Sequence, residues 1–154
     1  MTAGIELADS IALADLVNRY AALVDSGSYS EVADLFTEHG ELVAPEPPDT
    51  LLPSKRLSGR EEIVRELSRL GDFPVTVHEL VGMVFDPGEN PGYARGRITC
   101  VAHHLMHKGD RSTDLTWRLR YSDTYRRTTG AWRIERREIR IDVIELREVK
   151  RIRS

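Results

Sequence analysis

The sequence VTVHELVGMVF at residues 75–85 separates two kinds of hydrophobic pattern. Before it, apolar residues recur at the three- and four-residue spacing of helices, whereas from it onward apolar and polar residues alternate as in β-strands. Four β-rich runs follow this change of period, at residues 75–85, 93–107, 115–128 and 132–145. Helices first and strands afterwards predict an α+β domain with helices packed on one face of an antiparallel sheet.

Three helices are predicted ahead of these strands. Apolar periodicity places the first, and serine–glutamate pairs three residues apart, each typical of a capping box, begin the other two. The first helix is predicted at residues 10–25. The second begins at the pair Ser28 and Glu31 and ends at Gly40, and the third begins at the pair Ser58 and Glu61 and ends at Gly71. The four prolines of residues 45–53 predict an exposed loop between the second and third helices.

The last strand changes its apolar parity. Trp132 and Ile134 lie on one face, whereas Ile139 and Ile141 lie on the other. A bulge or strong bend near Arg137 explains this switch and predicts a curved sheet. A curved sheet with helices across one face forms a cone, and its inside is the concave, apolar kind of site that small ligands use.

Length and charge predict a single domain that spans residues 1–154 and binds no nucleic acid. The net charge is −3, but residues 1–91 carry 6 basic and 17 acidic side chains while residues 92–154 carry 16 and 8. The basic residues from Arg118 to Arg140 alternate with apolar ones. That pattern predicts the solvent face of a sheet rather than a continuous phosphate-binding stripe.

The sequence also favours a cytoplasmic protein without membrane contact. Cys100 is the single cysteine, which agrees with a reducing compartment. No stretch approaches the ~18 apolar residues of a transmembrane helix, and the N-terminus lacks the order of a signal peptide. There is no glycine-rich phosphate loop, so we expect no nucleotide cofactor.

Asp25 and His78 are the first candidates for chemistry. Asp25 ends the first predicted helix, where the macrodipole disfavours a negative charge, and it borders an apolar stripe. Its carboxylate either turns inward or bonds the backbone amides of the Ser26-Gly27 turn. His78 lies on a strand that is apolar on both faces, so it is either a core histidine or looks into a cavity.

His103 and His104 are adjacent on one strand, so only one of them can face the inside. Residue parity alone does not choose between them. Asp25, His78 and His103 together have the composition of a two-histidine, one-carboxylate iron site. Their spacing matches no known zinc or iron motif, and we therefore expect no metal.

The order of motifs resembles the SnoaL-like domains of the nuclear-transport-factor-like superfamily, which are cone-shaped α+β barrels. The resemblance covers about residues 8–145. The motifs that carry it are RYAALVDSGSY at 19–29, EVADLFTEHGELV at 31–43, GREEI at 59–63, VHELVG at 77–82, VAHH at 101–104 and YRRTTGAWRIERREI at 125–139. Scytalone dehydratase and bile-acid dehydratases have a similar layout.

The resemblance implies a catalytic set. In those dehydratases an aspartate near the end of the first helix pairs with a histidine on the first long strand, positions matched by Asp25 and His78. The second histidine of scytalone dehydratase falls in VAHH and favours His103 over His104. The bile-acid dehydratases keep a tyrosine at the position of Tyr20.

Two positions depart from scytalone dehydratase: Val24 replaces a tyrosine, and Tyr121 replaces an asparagine. These departures leave the substrate open. With Trp117 and Leu80, Val24 and Tyr121 form the predicted substrate-binding set.

The leading hypothesis is a cofactor-free lyase or isomerase that abstracts a proton next to a carbonyl of a hydrophobic cyclic molecule. A second hypothesis is a non-catalytic carrier or dimerisation domain, and a third is an epoxide or lactone hydrolase. Apolar residues on both faces of several strands further predict a homodimer or homotrimer.

Overall fold

The computed structural model describes residues 4–154 as three helices and six strands. The helices are α1 Leu7–Asp25, α2 Tyr29–Asp34 and α3 Arg60–Leu67, the last continued by a 3-10 turn at Ser68–Asp72. The strands are β1 Phe36–Glu46, β2 Thr50–Ser58, β3 Val75–Pro87, β4 Tyr93–Lys108, β5 Arg111–Thr128 and β6 Ala131–Val149. Within residues 4–154, no helix is both long enough and apolar enough to span a membrane.

The six strands form one mixed sheet in the order β2-β1-β6-β5-β4-β3. Only β1 and β6 pair in parallel; the other neighbours are antiparallel. The helices cover one face, and α1 packs against β3 and β6. The curved sheet stays open, with β2 and β3 as its edges, so the predicted cone is present but is not closed into a barrel.

The four strands predicted after residue 74 are confirmed, as are the hairpins that join them. The bend predicted near Arg137 is also confirmed. The β5–β6 register shifts between Thr124 and Tyr125, whose partners on β6 are Arg136 and Ile134. At this point β6 has one residue more than β5, so the inward-facing position moves from Ile134 to Arg137. The apolar parity of β6 therefore switches here.

The prediction that the second helix runs to Gly40 is wrong. The helix ends at Asp34, and Phe36 already pairs with Ile134 in the parallel β1–β6 ladder. A Cβ on Gly40 would lie 3.0 Å from the Phe36 Cβ and 3.1 Å from the Ile134 carbonyl oxygen. Gly40 is therefore needed for close packing of β1 on β6 rather than as a helix stop.

The proline-rich segment 45–53 is a hairpin rather than a loop. Pro45 belongs to β1 and Pro53 to β2, which leaves only residues 47–49 as the turn. The β1–β2 register is irregular next to Pro45, and β2 is an edge strand. Proline is tolerated at a bulge and on an edge strand because no ladder hydrogen bond is lost there.

Neither predicted capping box forms. Ser28 precedes α2 without a side-chain cap and instead contacts the Ser26 hydroxyl at 3.0 Å. At α3 the N-cap residue is Gly59, and the backbone N–H of Ser58 donates to the Glu62 carboxylate at 2.7 Å. These two helices begin within a residue or two of the predicted positions, but contacts other than the predicted capping boxes form at their starts.

Gly96 marks a tightly packed point in the sheet. A Cβ added there would lie 2.7 Å from the Tyr125 ring, whose hydroxyl is held by the buried Asp123 at 2.5 Å. We expect Gly96→Ala to lower the free energy of unfolding by about 1–3 kcal/mol in urea titrations, because the ring cannot move away. Gly82→Ala is the matched control, since nothing lies within 4 Å of its added Cβ. Equal stability of the two variants would contradict this packing.

Candidate active site

The Asp25 carboxylate lies where the end of α1 meets the start of β3. It accepts three hydrogen bonds: from the backbone N–H of His78 at 2.8 Å, from the Thr76 hydroxyl at 3.0 Å and from His78 Nδ1 at 2.7 Å. The turn-aspartate alternative is thus not observed. Asp25 and His78 are brought together as the resemblance implied.

These hydrogen bonds set the charge of Asp25. Burial would raise its pKa, but the side-chain and backbone hydrogen bonds from His78, together with that from Thr76, outweigh burial and lower it. Asp25 is therefore a carboxylate at neutral pH. Because a carboxylate only accepts hydrogen bonds, His78 Nδ1 carries the proton of this contact, which leaves Nε2 as the nitrogen that can act as a base.

His78 lines a cavity of about 480 Å³ between the sheet and the helices. Four other predicted site residues line the same cavity: Tyr20, Val24, Trp117 and Tyr121. The prediction for Leu80 is not met, since its side chain packs against the hydrophobic core and is absent from the cavity wall. The cavity surface is mostly apolar, and its charged lining residues include Lys55, Glu66 and Arg69.

The histidine of VAHH that reaches the cavity is His104, so the expectation favouring His103 is corrected. His103 points to the opposite face of the sheet, where Nδ1 contacts Asp114 at 2.7 Å and Nε2 contacts Glu79 at 3.3 Å. These carboxylates outweigh burial and raise the pKa of His103. Neighbouring residues of β4 face opposite sides of the sheet, and the alternation of apolar residues alone did not show which histidine faces inward.

His104 is the second histidine of the cavity and was not assigned from the sequence. Its Nδ1 lies 3.0 Å from the Leu115 carbonyl oxygen, and its ring lies 4.3 Å from the Trp117 ring and 6.3 Å from the His78 ring. Burial lowers its pKa to about 4. At neutral pH the cavity therefore holds an uncharged His104 beside a His78 that is backed by a carboxylate.

Asp25, His78 and His103 do not come together as a metal site. His103 lies on the opposite face of the sheet from the contact between Asp25 and His78. Among residues 4–154, no three histidine, cysteine, aspartate or glutamate side chains are grouped so that they could hold a metal ion.

Arg137 and Asp123 form a buried ion pair that sequence reasoning missed. Arg137 donates to both carboxylate oxygens of Asp123, at 2.9 and 2.6 Å, and both side chains are completely buried. The guanidinium lies 4.1 Å from the ring centroids of both Tyr20 and Tyr121, which line the cavity. Arg137 was expected on the solvent face. Asp123 could have indicated this buried pair, because it lies on the same face of its strand as Tyr121 and Tyr125.

A wider depression of about 960 Å³ lies on the other side of the sheet. Its wall contains several arginines, but carboxylates pair with them. Arg97 contacts Asp86 at 3.3 Å, and Arg120 and Arg140 both contact Asp142, at 2.7 and 3.2 Å. Such exposed ion pairs leave little unbalanced charge, so we place the candidate chemistry in the smaller cavity that holds His78.

A family model described as "SnoaL-like domain" matches residues 6–138. The chain therefore belongs to the SnoaL-like domain family. It is also similar to an uncharacterized protein of Mycobacterium tuberculosis, with 28% identity over 137 residues that cover 86% of this chain and 84% of the relative.

Solved structures confirm the fold. A candidate scytalone dehydratase from Novosphingobium aromaticivorans has a TM-score of 0.77 at 23% identity, covering 94% of this chain and 91% of the other. A hexachlorocyclohexane dehydrochlorinase, LinA type 2, has a TM-score of 0.74 at 15% identity, covering 96% and 93%. A Mycobacterium tuberculosis protein of unknown function has a TM-score of 0.70 at 19% identity, covering 87% and 72%. At these identities the likeness shows a shared fold.

The low pKa of His104 predicts a pH-dependent stability. The unfolded chain protonates this histidine below about pH 6.5, whereas the folded protein resists protonation until about pH 4. Stability is therefore fully present above pH 6.5 and is lost as the pH falls toward 4. Between about pH 7 and about pH 4.5, we expect the wild type to lose about 2 kcal/mol more unfolding free energy than His104→Asn. Urea titrations measure this; equal losses would show that His104 is not held neutral.

Proposed function

We propose that this protein is a cofactor-free lyase or isomerase of the dehydratase type, acting on a hydrophobic cyclic molecule with an acidic C–H next to a carbonyl. The observation that carries the proposal is the 2.7 Å contact between Asp25 and His78 Nδ1 at the wall of an apolar cavity. Paired in this way, an imidazole is oriented and its free nitrogen acts as a general base near neutral pH.

In the proposed reaction, Nε2 of His78 takes the proton from the carbon next to the carbonyl. The electron pair of that C–H bond moves into the carbonyl and forms an enolate, while Asp25 stabilises the imidazolium that results. In a dehydration the enolate then expels a hydroxide from the β-carbon, which leaves as water after receiving the proton from His78. In an isomerisation the proton returns to a different carbon.

Tyr20 is the proposed donor to the enolate oxygen. Burial raises the pKa of its phenol despite the nearby Arg137, so the hydroxyl stays protonated at neutral pH. The guanidinium of Arg137 lies against the rings of Tyr20 and Tyr121 and is paired with the buried Asp123, so it fixes these two rings without adding net charge to this wall of the cavity.

The substrate class follows from the walls. Tyr20, Tyr121 and Trp117 give the cavity aromatic surfaces, and Val24 adds an aliphatic one, which suits a flat ring system. Two structural neighbours are named as enzymes of elimination, a candidate scytalone dehydratase and a dehydrochlorinase. Their names support elimination as the reaction class here without indicating the substrate.

The other hypotheses become outcomes of the same test. A carrier has no need of a carboxylate behind His78, and it would release a bound molecule unchanged. A hydrolase for epoxides or lactones would use the same two residues to activate water, and its product would contain oxygen from the solvent. Analysis of products formed in oxygen-labelled water separates hydrolysis from elimination.

We further propose that the protein works in the cytoplasm as a homodimer or homotrimer, with no nucleic acid, membrane, metal or cofactor as partner. The outer face of the sheet supports self-association because it exposes Val77, Val81, Val84 and Val143 beside charges of both signs. Light scattering coupled to size exclusion measures the assembly.

Replacement of either member of the pair tests the function. We expect Asp25→Asn and His78→Ala each to lower turnover by at least ~10²-fold, since the general base is lost or misoriented, while the melting temperature stays within about 5 °C. The assay is a screen of polyketide-like and steroid-like hydroxy ketones, read as loss of water and as deuterium uptake next to the carbonyl.

Matched controls are available on the same elements. Asp15→Asn changes an exposed carboxylate of α1, and His107→Ala changes an exposed histidine of β4. Both should keep full activity. Turnover that survives in Asp25→Asn or His78→Ala would contradict the proposed mechanism, and unfolding of either variant would assign that residue a structural role instead.

A further inference from the structure

Thr76 and His78 lie two residues apart on β3 and face the same side of the sheet. Thr76 is buried, and its hydroxyl donates to Oδ1 of the Asp25 carboxylate at 3.0 Å. The same oxygen accepts the hydrogen bond from His78 Nδ1 at 2.7 Å, whereas Oδ2 accepts from the backbone N–H of His78 at 2.8 Å. The Thr76 hydroxyl and the His78 ring therefore share one oxygen of Asp25.

This shared oxygen limits how strongly Asp25 supports a positive charge on His78. A carboxylate only accepts hydrogen bonds, so the Thr76 hydroxyl points its proton at Oδ1. Burial raises the pKa of Asp25, but the hydrogen bonds and charge of His78, followed by the Thr76 bond, lower it below its usual value. Without the Thr76 donor, more of the negative charge on Oδ1 would face the imidazole, and the imidazolium would form more readily.

We propose that Thr76 is a positioning residue that sets the pH range in which His78 acts as a base. By sharing Oδ1 with the imidazole, its hydroxyl delays proton uptake by the pair of Asp25 and His78 as the pH falls. The inference rests on the proposed function and adds a residue that acts through Asp25. Thr76 itself is absent from the cavity wall, so we expect it to make no contact with a ligand bound there.

The ionisable side chains from other elements that sense the charge of this pair are Tyr29 of α2 and Cys100 and His104 of β4. Burial, followed by the charges of Asp25 and Asp72, raises the pKa of Tyr29. Burial also raises the pKa of Cys100 to about 11 and lowers the pKa of His104 to about 4. These three groups do not titrate near neutral pH, so proton uptake measured there at the His78 ring reports on the pair.

A proton–nitrogen NMR titration of the His78 ring tests the inference without any turnover. Thr76→Val replaces the hydroxyl with a methyl group of similar size, whereas Thr76→Ser keeps the hydroxyl. We expect the imidazolium of His78 to form in Thr76→Val at a pH about 0.5–1 unit higher than in the wild type, while Nδ1 keeps its proton in both. Thr76→Ser should titrate like the wild type.

Deuterium uptake by α-tetralone, a flat bicyclic ketone, links this titration to proton abstraction. In Thr76→Val we expect kcat of the exchange to fall about three- to tenfold on the acid limb of the pH profile but to stay within about twofold on the plateau, because the base is lost only where it is protonated. KM should stay within about twofold throughout, since Thr76 does not line the cavity. A merely structural role would lower kcat at every pH.

Thr37→Val is the matched control. Thr37 is a buried threonine of β1 whose hydroxyl has no hydrogen-bond partner within the described part of the chain. The same substitution there should leave the His78 titration and the pH profile unchanged.

The inference would be overturned if His78 titrated in Thr76→Val at the wild-type pH or below it, or if Thr76→Ser behaved like Thr76→Val. Loss of kcat at every pH would also overturn it. Absence of α-tetralone exchange by the wild type would contradict the proposed function alone, since the titration still decides the role of Thr76.

A measurement on the wild type decides the role of Thr76 if Thr76→Val does not fold. The Thr76 hydroxyl proton and the His78 Nδ1 proton both point at Oδ1 of Asp25, so we expect a strong nuclear Overhauser cross-peak between them. A hydroxyl proton that contacts another group, or that exchanges with water too fast to be observed, would overturn the inference.

Discussion

The Asp25 carboxylate is the interaction on which the site depends. It sits at the C-terminal end of α1, where the helix dipole opposes a negative charge, and three donors from β3 compensate for that position. The same three hydrogen bonds attach α1 to an edge strand of the sheet and orient the His78 ring. The end of α1, the start of β3 and the His78 tautomer are therefore linked through one side chain.

The two histidines that line the cavity have different electrostatic surroundings. His78 has a carboxylate behind it, whereas His104 has only a backbone carbonyl, and burial keeps His104 uncharged. Beneath the cavity lies the Arg137 guanidinium, which is neutralised by Asp123 and packs against two tyrosine rings. A largely apolar, aromatic cavity with one oriented base is suited to removing a weakly acidic proton from an apolar molecule.

The strand half of the molecule was predictable from the sequence because a twofold period is a local signal. The bend near Arg137 was predictable from the parity switch within the last strand, whereas the pairing of Asp25 with His78 was predictable only from the family resemblance. The segment 36–40 was mistaken for helix because its strand character comes from pairing with β6, a contact far away in sequence. Arg137 was missed because a one-residue register shift decides which residues of β6 face inward. His104 was missed because strand parity did not choose between the two histidines and the family pattern favoured His103.

The position of the proton on the His78 imidazole tests whether Asp25 sets the tautomer of this ring. Long-range proton–nitrogen NMR correlations of the wild type at about pH 8, where an ordinary imidazole is neutral, should show Nδ1 of His78 protonated and Nε2 bare. In Asp25→Asn the two tautomers should become mixed. A wild-type His78 that carries its proton on Nε2, or that populates both tautomers, would contradict the proposed mechanism, because the basic nitrogen would then not face the cavity.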